Sequence, residues 1–120
     1  MTTQQVADRL VKLVREGKNL QAIDELYADN VISKEPKGHP HEQTQGKQNV
    51  KQNTRSFEAS VVEMHGILVS DPIVQGDHFA FTLDIDATYK ERGRSRLGEL
   101  CVYEVKDGKV VYDEFFYNFR

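Results

Sequence analysis

Cysteine is nearly absent from this sequence: Cys101 is the one cysteine in 120 residues. It has no internal partner for a disulfide, so cysteine usage gives no sign of an oxidising compartment. No apolar run approaches the roughly 20 residues that a membrane-spanning helix requires. Met1-Thr2-Thr3-Gln4-Gln5 has neither the basic stretch nor the apolar run of a secretory signal. A soluble, cytoplasmic protein is therefore expected, with no membrane partner. Positive charge is in deficit, 16 Lys and Arg against 19 Asp and Glu, for a net charge of -3. That balance argues against the basic stripe of a nucleic-acid platform. Arg92, Arg94 and Arg96, grouped around Gly93, read as a solvated turn. A Ser-His-Asp arrangement, a phosphate-binding glycine loop and a dinucleotide fingerprint are also missing. His39-Pro40-His41-Glu42 offers metal-ligand types, but no further histidine or cysteine is spaced to close a tetrahedral site. Neither a metal nor a cofactor is expected. A length of 120 residues suits one domain, 1–120, with a core that needs no cross-link.

The most legible element present is a closing hairpin, Leu97 to Val105 and Lys109 to Asn118, joined by Asp107-Gly108. Asp-Gly between alternating runs is a strong hairpin signal, because the tight mirror-image turn needs positive φ and matches strand twist. Pairing outward from it sets Val105 against Val110, Tyr103 against Tyr112, Cys101 against Glu114 and Glu99 against Phe116 on one face. The other face carries Leu100, Val102, Val111, Phe115 and Tyr117, interrupted by Glu104 and Asp113. Both faces are part apolar, which predicts a sheet covered on both sides and folded over a pocket.

Upstream, Thr2 or Thr3 can cap a first helix whose apolar face is Val6, Leu10, Leu13 and Val14, stopped by Gly17. Asn19 can cap a second, with Leu20, Ile23, Leu26 and Tyr27 on its stripe and Ala28-Asp29-Asn30 at its end. Val31 to Glu35 reads as a short strand stopped by Pro36. A polar loop follows to Gly46, then a third helix from Lys47 to about Ala59. Strands are predicted at Val61 to Ser70, Ile73-Val74 and Phe79 to Tyr89. Helices first and antiparallel strands after is the α+β pattern.

This order resembles the nuclear transport factor 2-like superfamily, carried by Leu26-Tyr27-Ala28-Asp29-Asn30-Val31, the strand ending Glu35-Pro36, and the meandering strands. The ending Val105-Lys106-Asp107-Gly108-Lys109-Val110-Val111 resembles its SnoaL-like branch, which includes polyketide cyclases. The resemblance implies a strongly curved antiparallel sheet wrapped around N-terminal helices as a cone with a pocket inside (a cystatin-like roll), and dimerisation through the outer sheet face. It also implies roles by position. Ketosteroid isomerases of the superfamily place a proton-moving aspartate before a proline where Glu35 precedes Pro36. Their oxyanion-stabilising aspartic acid, and the acid-base aspartate of SnoaL-like cyclases, fall at Cys101. Their tyrosine on the first helix falls in the stretch Leu10 to Val14. Without those groups a developing enolate loses preorganised donors, so neither steroid isomerisation by that route nor SnoaL-type ring closure is implied.

A different set of acids can still be assembled. If the chain turns back through Arg92-Gly93, Asp86 falls opposite Glu99 and Asp84 opposite Cys101. Carboxylates crowded in a partly dry cavity cannot all ionise, so one keeps a proton near neutral pH and becomes a general acid. The candidate catalytic residues are Glu35, Glu99, Glu114 and His65, the last as base or donor. Tyr27, Asp86, Cys101, Tyr103, Tyr112 and Phe116 are candidate substrate contacts. Alternation alone leaves open which face is concave; the resemblance, by placing Cys101 inward, favours the acids inside. In that orientation Phe79, Phe81, Leu83, Ile85, Leu100, Val102, Phe115 and Tyr117 form an exposed patch that a two-fold homodimer would bury. The functions left standing are an acid-base enzyme of isomerase, cyclase or hydratase type acting on a small, partly apolar molecule, a non-catalytic ligand-binding domain, and a dimeric interaction module.

Overall fold

The computed structural model describes residues 1–118. Helix α1 (Thr3–Arg15) starts from a complete capping box, in which the Thr2 hydroxyl accepts from the Gln5 N–H and the Gln5 side chain accepts from the Thr2 N–H. Helix α2 (Asn19–Leu26) runs directly into strand β1 (Tyr27–Lys34), so Tyr27 opens a strand rather than closing a helix. Asn19 does not cap α2; the cap position is Lys18, with no side-chain hydrogen bond. The polar loop holds a short strand, β2 (Gln43–Gln45), and helix α3 (Lys47–Ser60) leads into β3 (Val61–Val69). Strands β4 (Ile73–Gln75), β5 (His78–Tyr89), β6 (Gly93–Lys106) and β7 (Lys109–Phe116) complete the chain.

The sheet runs β2-β1-β7-β6-β5-β3, with β4 also beside β5. Only the β1–β7 pair is parallel; the others are antiparallel. The sheet is not closed, and β2 and β3 are its edges. Edge strand β3 leaves Val62 and Met64 exposed and departs twice from regular register. One face of the sheet packs on the helices: Val6, Leu10, Leu13 and Leu26 share a core with Phe79, Phe81, Tyr103 and Val110. No helix among the described residues is long and apolar enough to cross a membrane.

Two registers differ from the sequence expectation, and both differences invert a strand. The β6–β7 turn has both Asp107 and Gly108 at positive φ, and Val105 does face Val110. The next pair is Glu104 with Tyr112, so Val111 is an extra residue, a β-bulge. Beyond it Tyr103 faces Asp113 rather than Tyr112, and Cys101 faces Phe115 rather than Glu114. The β5–β6 turn folds about Glu91, with Gly93 at φ 70° closing the loop, instead of about Arg92-Gly93. Leu83 therefore faces Glu99 and Phe81 faces Cys101, while Asp84 meets Gly98 and Asp86 meets Arg96. An odd slip moves every side chain to the opposite face.

The phenylalanine-rich side is thus the interior. Phe79 is 2% exposed, and its ring stacks on Tyr103 at 4.7 Å. Phe81, Leu83, Ile85 and Phe115 lie on the same inner side, whereas Leu100 and Val102 point outward. Phe79→Ala should lower stability by about 3–5 kcal/mol, the cost of emptying a buried aromatic site. Urea unfolding checks this; a loss below about 0.5 kcal/mol, the range of a surface change, would return Phe79 to the outer face.

Candidate functional site

Where β1 runs parallel to β7, Ser33 lies across from Asp113, a carboxyl only 1% exposed. The Tyr27 phenol donates to Asp113 Oδ2 at 2.5 Å. Oδ1 has no well-aligned hydrogen-bond partner among the described residues. Burial pushes the Asp113 carboxyl up to about 7, with the Ser33 hydroxyl and the Tyr27 phenol pulling it back and the Glu35 charge adding to the rise. Tyr103, stacked between Phe79 and Phe81, lies directly opposite on β6.

Glu99 stands on the same inner side of β6, two residues before Cys101, and is half-buried. Burial first, then the neighbouring Glu35 charge, raises its carboxyl to about 7. The Cys101 thiol donates to Glu99 Oε1 at 3.6 Å. Burial and the Glu99 charge drive that thiol far above its ordinary value, so Cys101 is a packing and hydrogen-bonding group and not a thiolate nucleophile. Glu35 follows the last residue of β1, where Pro36 ends the strand, and the Tyr117 phenol donates to its Oε2 at 2.7 Å. Burial raises Glu35, while Tyr117 and the charges of His39 and His41 pull it back. Both histidines sit on the hairpin tip between β1 and β2, which the Glu35 N–H closes by donating to the Glu42 carbonyl. Three carboxyl groups thus share one electrostatic neighbourhood, fringed by the phenols of Tyr27, Tyr103 and Tyr117. Leu83, Ile85 and Phe115 supply its apolar wall.

The sequence model for the SnoaL-like domain matches residues 1–117. The chain belongs to the SnoaL-like family. A candidate SnoaL-like polyketide cyclase from Mesorhizobium loti is similar at 32% identity and TM-score 0.92, over 98% of this chain and 100% of that one. A candidate isomerase from Bacillus subtilis is similar at 18% identity and TM-score 0.77, over 98% and 90%. A candidate polyketide cyclase from Pseudomonas putida gives 18% and 0.71, over 98% and 92%. At that lower identity the likeness shows the nuclear transport factor 2-like, cystatin-like fold alone. Curated proteins return no match.

In this SnoaL-like domain the bulge and the loop decide which expected site residues meet. Glu35, Glu99, Cys101, Tyr27 and Tyr103 converge on the inner side. Glu114 does not: it lies outside, opposite Lys34, and accepts from the Tyr112 phenol at 2.6 Å. Burial and Glu114 hold that phenol up at about 12. Phe116 is on the outer face at 49% exposure. Asp86 is outside as well, gripped by Arg94 at 2.9 Å and Arg96 at 3.4 Å, with its carboxyl held below the usual range first by the Arg94 hydrogen bond. His65 lies on that outer side, 2.6 Å from the Thr88 hydroxyl and 3.6 Å from Glu63, a satisfied surface histidine. Asp113 and Tyr117 lie on the inner face, opposite to the one that unbroken pairing from the turn predicts. The signal that locates them is the Val110-Val111 doublet just after the turn, where a bulge restores alternation with Asp113, Phe115 and Tyr117 inside.

The buried acid makes a testable statement about stability. Asp113 keeps its proton up to about pH 7 when folded but only to about 4 when unfolded. The folded chain binds the extra proton between those values, so this contribution to stability falls as pH rises through that window. Asp113→Asn removes the titration. Urea unfolding of both proteins from pH 4 to 8 should show the variant gaining on the wild type as pH rises; a constant difference rules out the raised Asp113.

Proposed function

We propose that this SnoaL-like domain is an acid-base enzyme that moves a proton on a small, partly apolar carbonyl compound, the step shared by isomerase, cyclase and hydratase chemistry. The observation that carries the reading is the pairing of Glu35 with Glu99. The two inner-side carboxyls lie within each other's field but have different surroundings. Glu35, with a phenol donor, is the one best held as the anion, and it takes a proton from the carbon next to the carbonyl. Glu99, half-protonated near neutrality, donates a proton or a hydrogen bond to the oxygen on which negative charge grows. Asp113, sealed behind it with Tyr27, helps keep Glu99 protonated without touching substrate. The relative described as a candidate SnoaL-like polyketide cyclase, 32% identical, supports chemistry of this kind.

Hydrogen-deuterium exchange at the activated methylene of 2-tetralone, followed by NMR, tests the reading. Exchange should be protein-accelerated and bell-shaped in pH, falling at low pH as Glu35 protonates and above about 7 as Glu99 ionises. Glu35→Gln and Glu99→Gln should each lower it by about 10²–10⁴-fold. Exchange no faster than buffer, beside saturable binding of 2-naphthol, would replace the enzyme by a ligand-binding domain.

We also propose that the outer sheet face meets a second copy of the chain. Its support is not Phe79, Phe81 and Phe115, which are inside, but an exposed outward strip that includes Leu68 (70% exposed), Leu100 and Phe116, bordered by Lys34 and Glu114, charges of opposite sign. Sedimentation equilibrium should give twice the chain mass, and Leu100→Asp with Phe116→Asp should halve it. A monomeric wild type would end this proposal.

A further inference from the structure

Three arginines cluster at the β5–β6 turn, and they do not share a role. Arg94 and Arg96 both engage Asp86 on the outer face of the sheet. Arg92 instead lies over the ring of Tyr89, its guanidinium carbon 4.1 Å from the ring centroid. Among the described residues no carboxylate forms an ion pair with it. Tyr89 belongs to the inner side, 4% exposed, beside Ile85, Ala87, Phe57 and Val61. Phe57 from α3 meets the Tyr89 ring edge-on at 6.0 Å. The Tyr89 hydroxyl is buried and has no hydrogen-bond partner among the described residues. Buried phenols nearly always find a partner, so an orphaned one on the inner side points to a polar atom that the described residues do not provide.

Arg92 also bears on the acid cluster. Its charge is felt at Tyr117, the phenol that donates to Glu35. The inner side therefore carries charge of both signs. Glu35, Glu99 and Asp113 crowd together and repel anions. A guanidinium held over an aromatic ring, which restricts its orientations, adjoins a phenol whose buried hydroxyl has no partner among the described residues. A carboxylate is the group whose geometry suits a planar guanidinium fork.

We propose that Arg92 and Tyr89 form an oxyanion-recognising subsite, and that the compound processed at Glu35 and Glu99 carries a carboxylate at the end away from its reacting carbonyl. This rests on the proton-transfer reading of Glu35 and Glu99. The subsite orients the molecule: the acid cluster repels the carboxylate, so the placement that brings the carbonyl to Glu99 is the one with the carboxylate at Arg92.

Two naphthols that mimic the enolate oxygen test this by fluorescence titration, 2-naphthol and 6-hydroxy-2-naphthoate. Wild type should bind the naphthoate about tenfold more tightly than the plain naphthol, the scale of one charge-assisted hydrogen bond. The preference should shrink at high salt. Arg92→Ala should abolish it, Arg92→Lys should keep part of it, and Tyr89→Phe should reduce it. Circular dichroism confirms that each variant is folded. Equal binding of the two probes by wild type, or a preference unchanged in Arg92→Ala, overturns the subsite while leaving the proton-transfer site standing. Binding of neither probe overturns both.

Discussion

Tyr27 and Asp113 join the two strands that run parallel in an otherwise antiparallel sheet, and they do so at the bottom of the core. An ionised carboxylate there would have no cation among the described residues to meet it, and isolated buried charge is among the costliest things a fold can carry. The group avoids that cost by retaining its proton to about neutral pH, with one oxygen accepting from Tyr27. The same solution spreads outward. Glu99 shares the field, and its own weakened acidity follows from burial and from two neighbouring acids rather than from any special hydrogen bond. Cys101, wedged between, cannot ionise at all under these conditions. The concave side of this SnoaL-like domain is therefore a place where protons are retained, a property set by burial and by the crowding of like charge.

In the proposed arrangement such a site favours one sense of binding: a neutral carbonyl end approaches the acids, while negative charge meets Arg92. Leu83 and Ile85 on β5 add apolar surface to the same inner side, and the helices close that side with leucine and valine.

Local features were readable in the sequence because their causes are local. Thr2 and Gln5 lie three residues apart and cap α1; Asp107-Gly108 makes its turn; α3 begins after Gly46 and runs close to the expected length. The family order of helices and strands was equally visible, as were Glu35 and Glu99 as candidate acids. Facing was not, because it depends on single-residue events. One additional residue at Val111 exchanges Glu114, Tyr112 and Phe116 for Asp113, Phe115 and Tyr117, and the placement of the β5–β6 turn about Glu91 sends Asp86 outside. Period-two alternation within β5 and β6 is the same wherever their turn falls, so no count of apolar positions detects that shift, and the bulge leaves only the Val110-Val111 doublet as its mark. His65 went astray for a related reason, since β3 changes register between Met64 and Gly66.

The irregular course of β3 has its own consequence. A straight border strand with Val62 and Met64 in the open would present a ready template on which neighbouring molecules could stack into fibrils. Two breaks in its ladder interrupt the row of free amide and carbonyl groups and add local twist. Smoothing them away would leave the concave acids untouched and yet threaten the protein with aggregation.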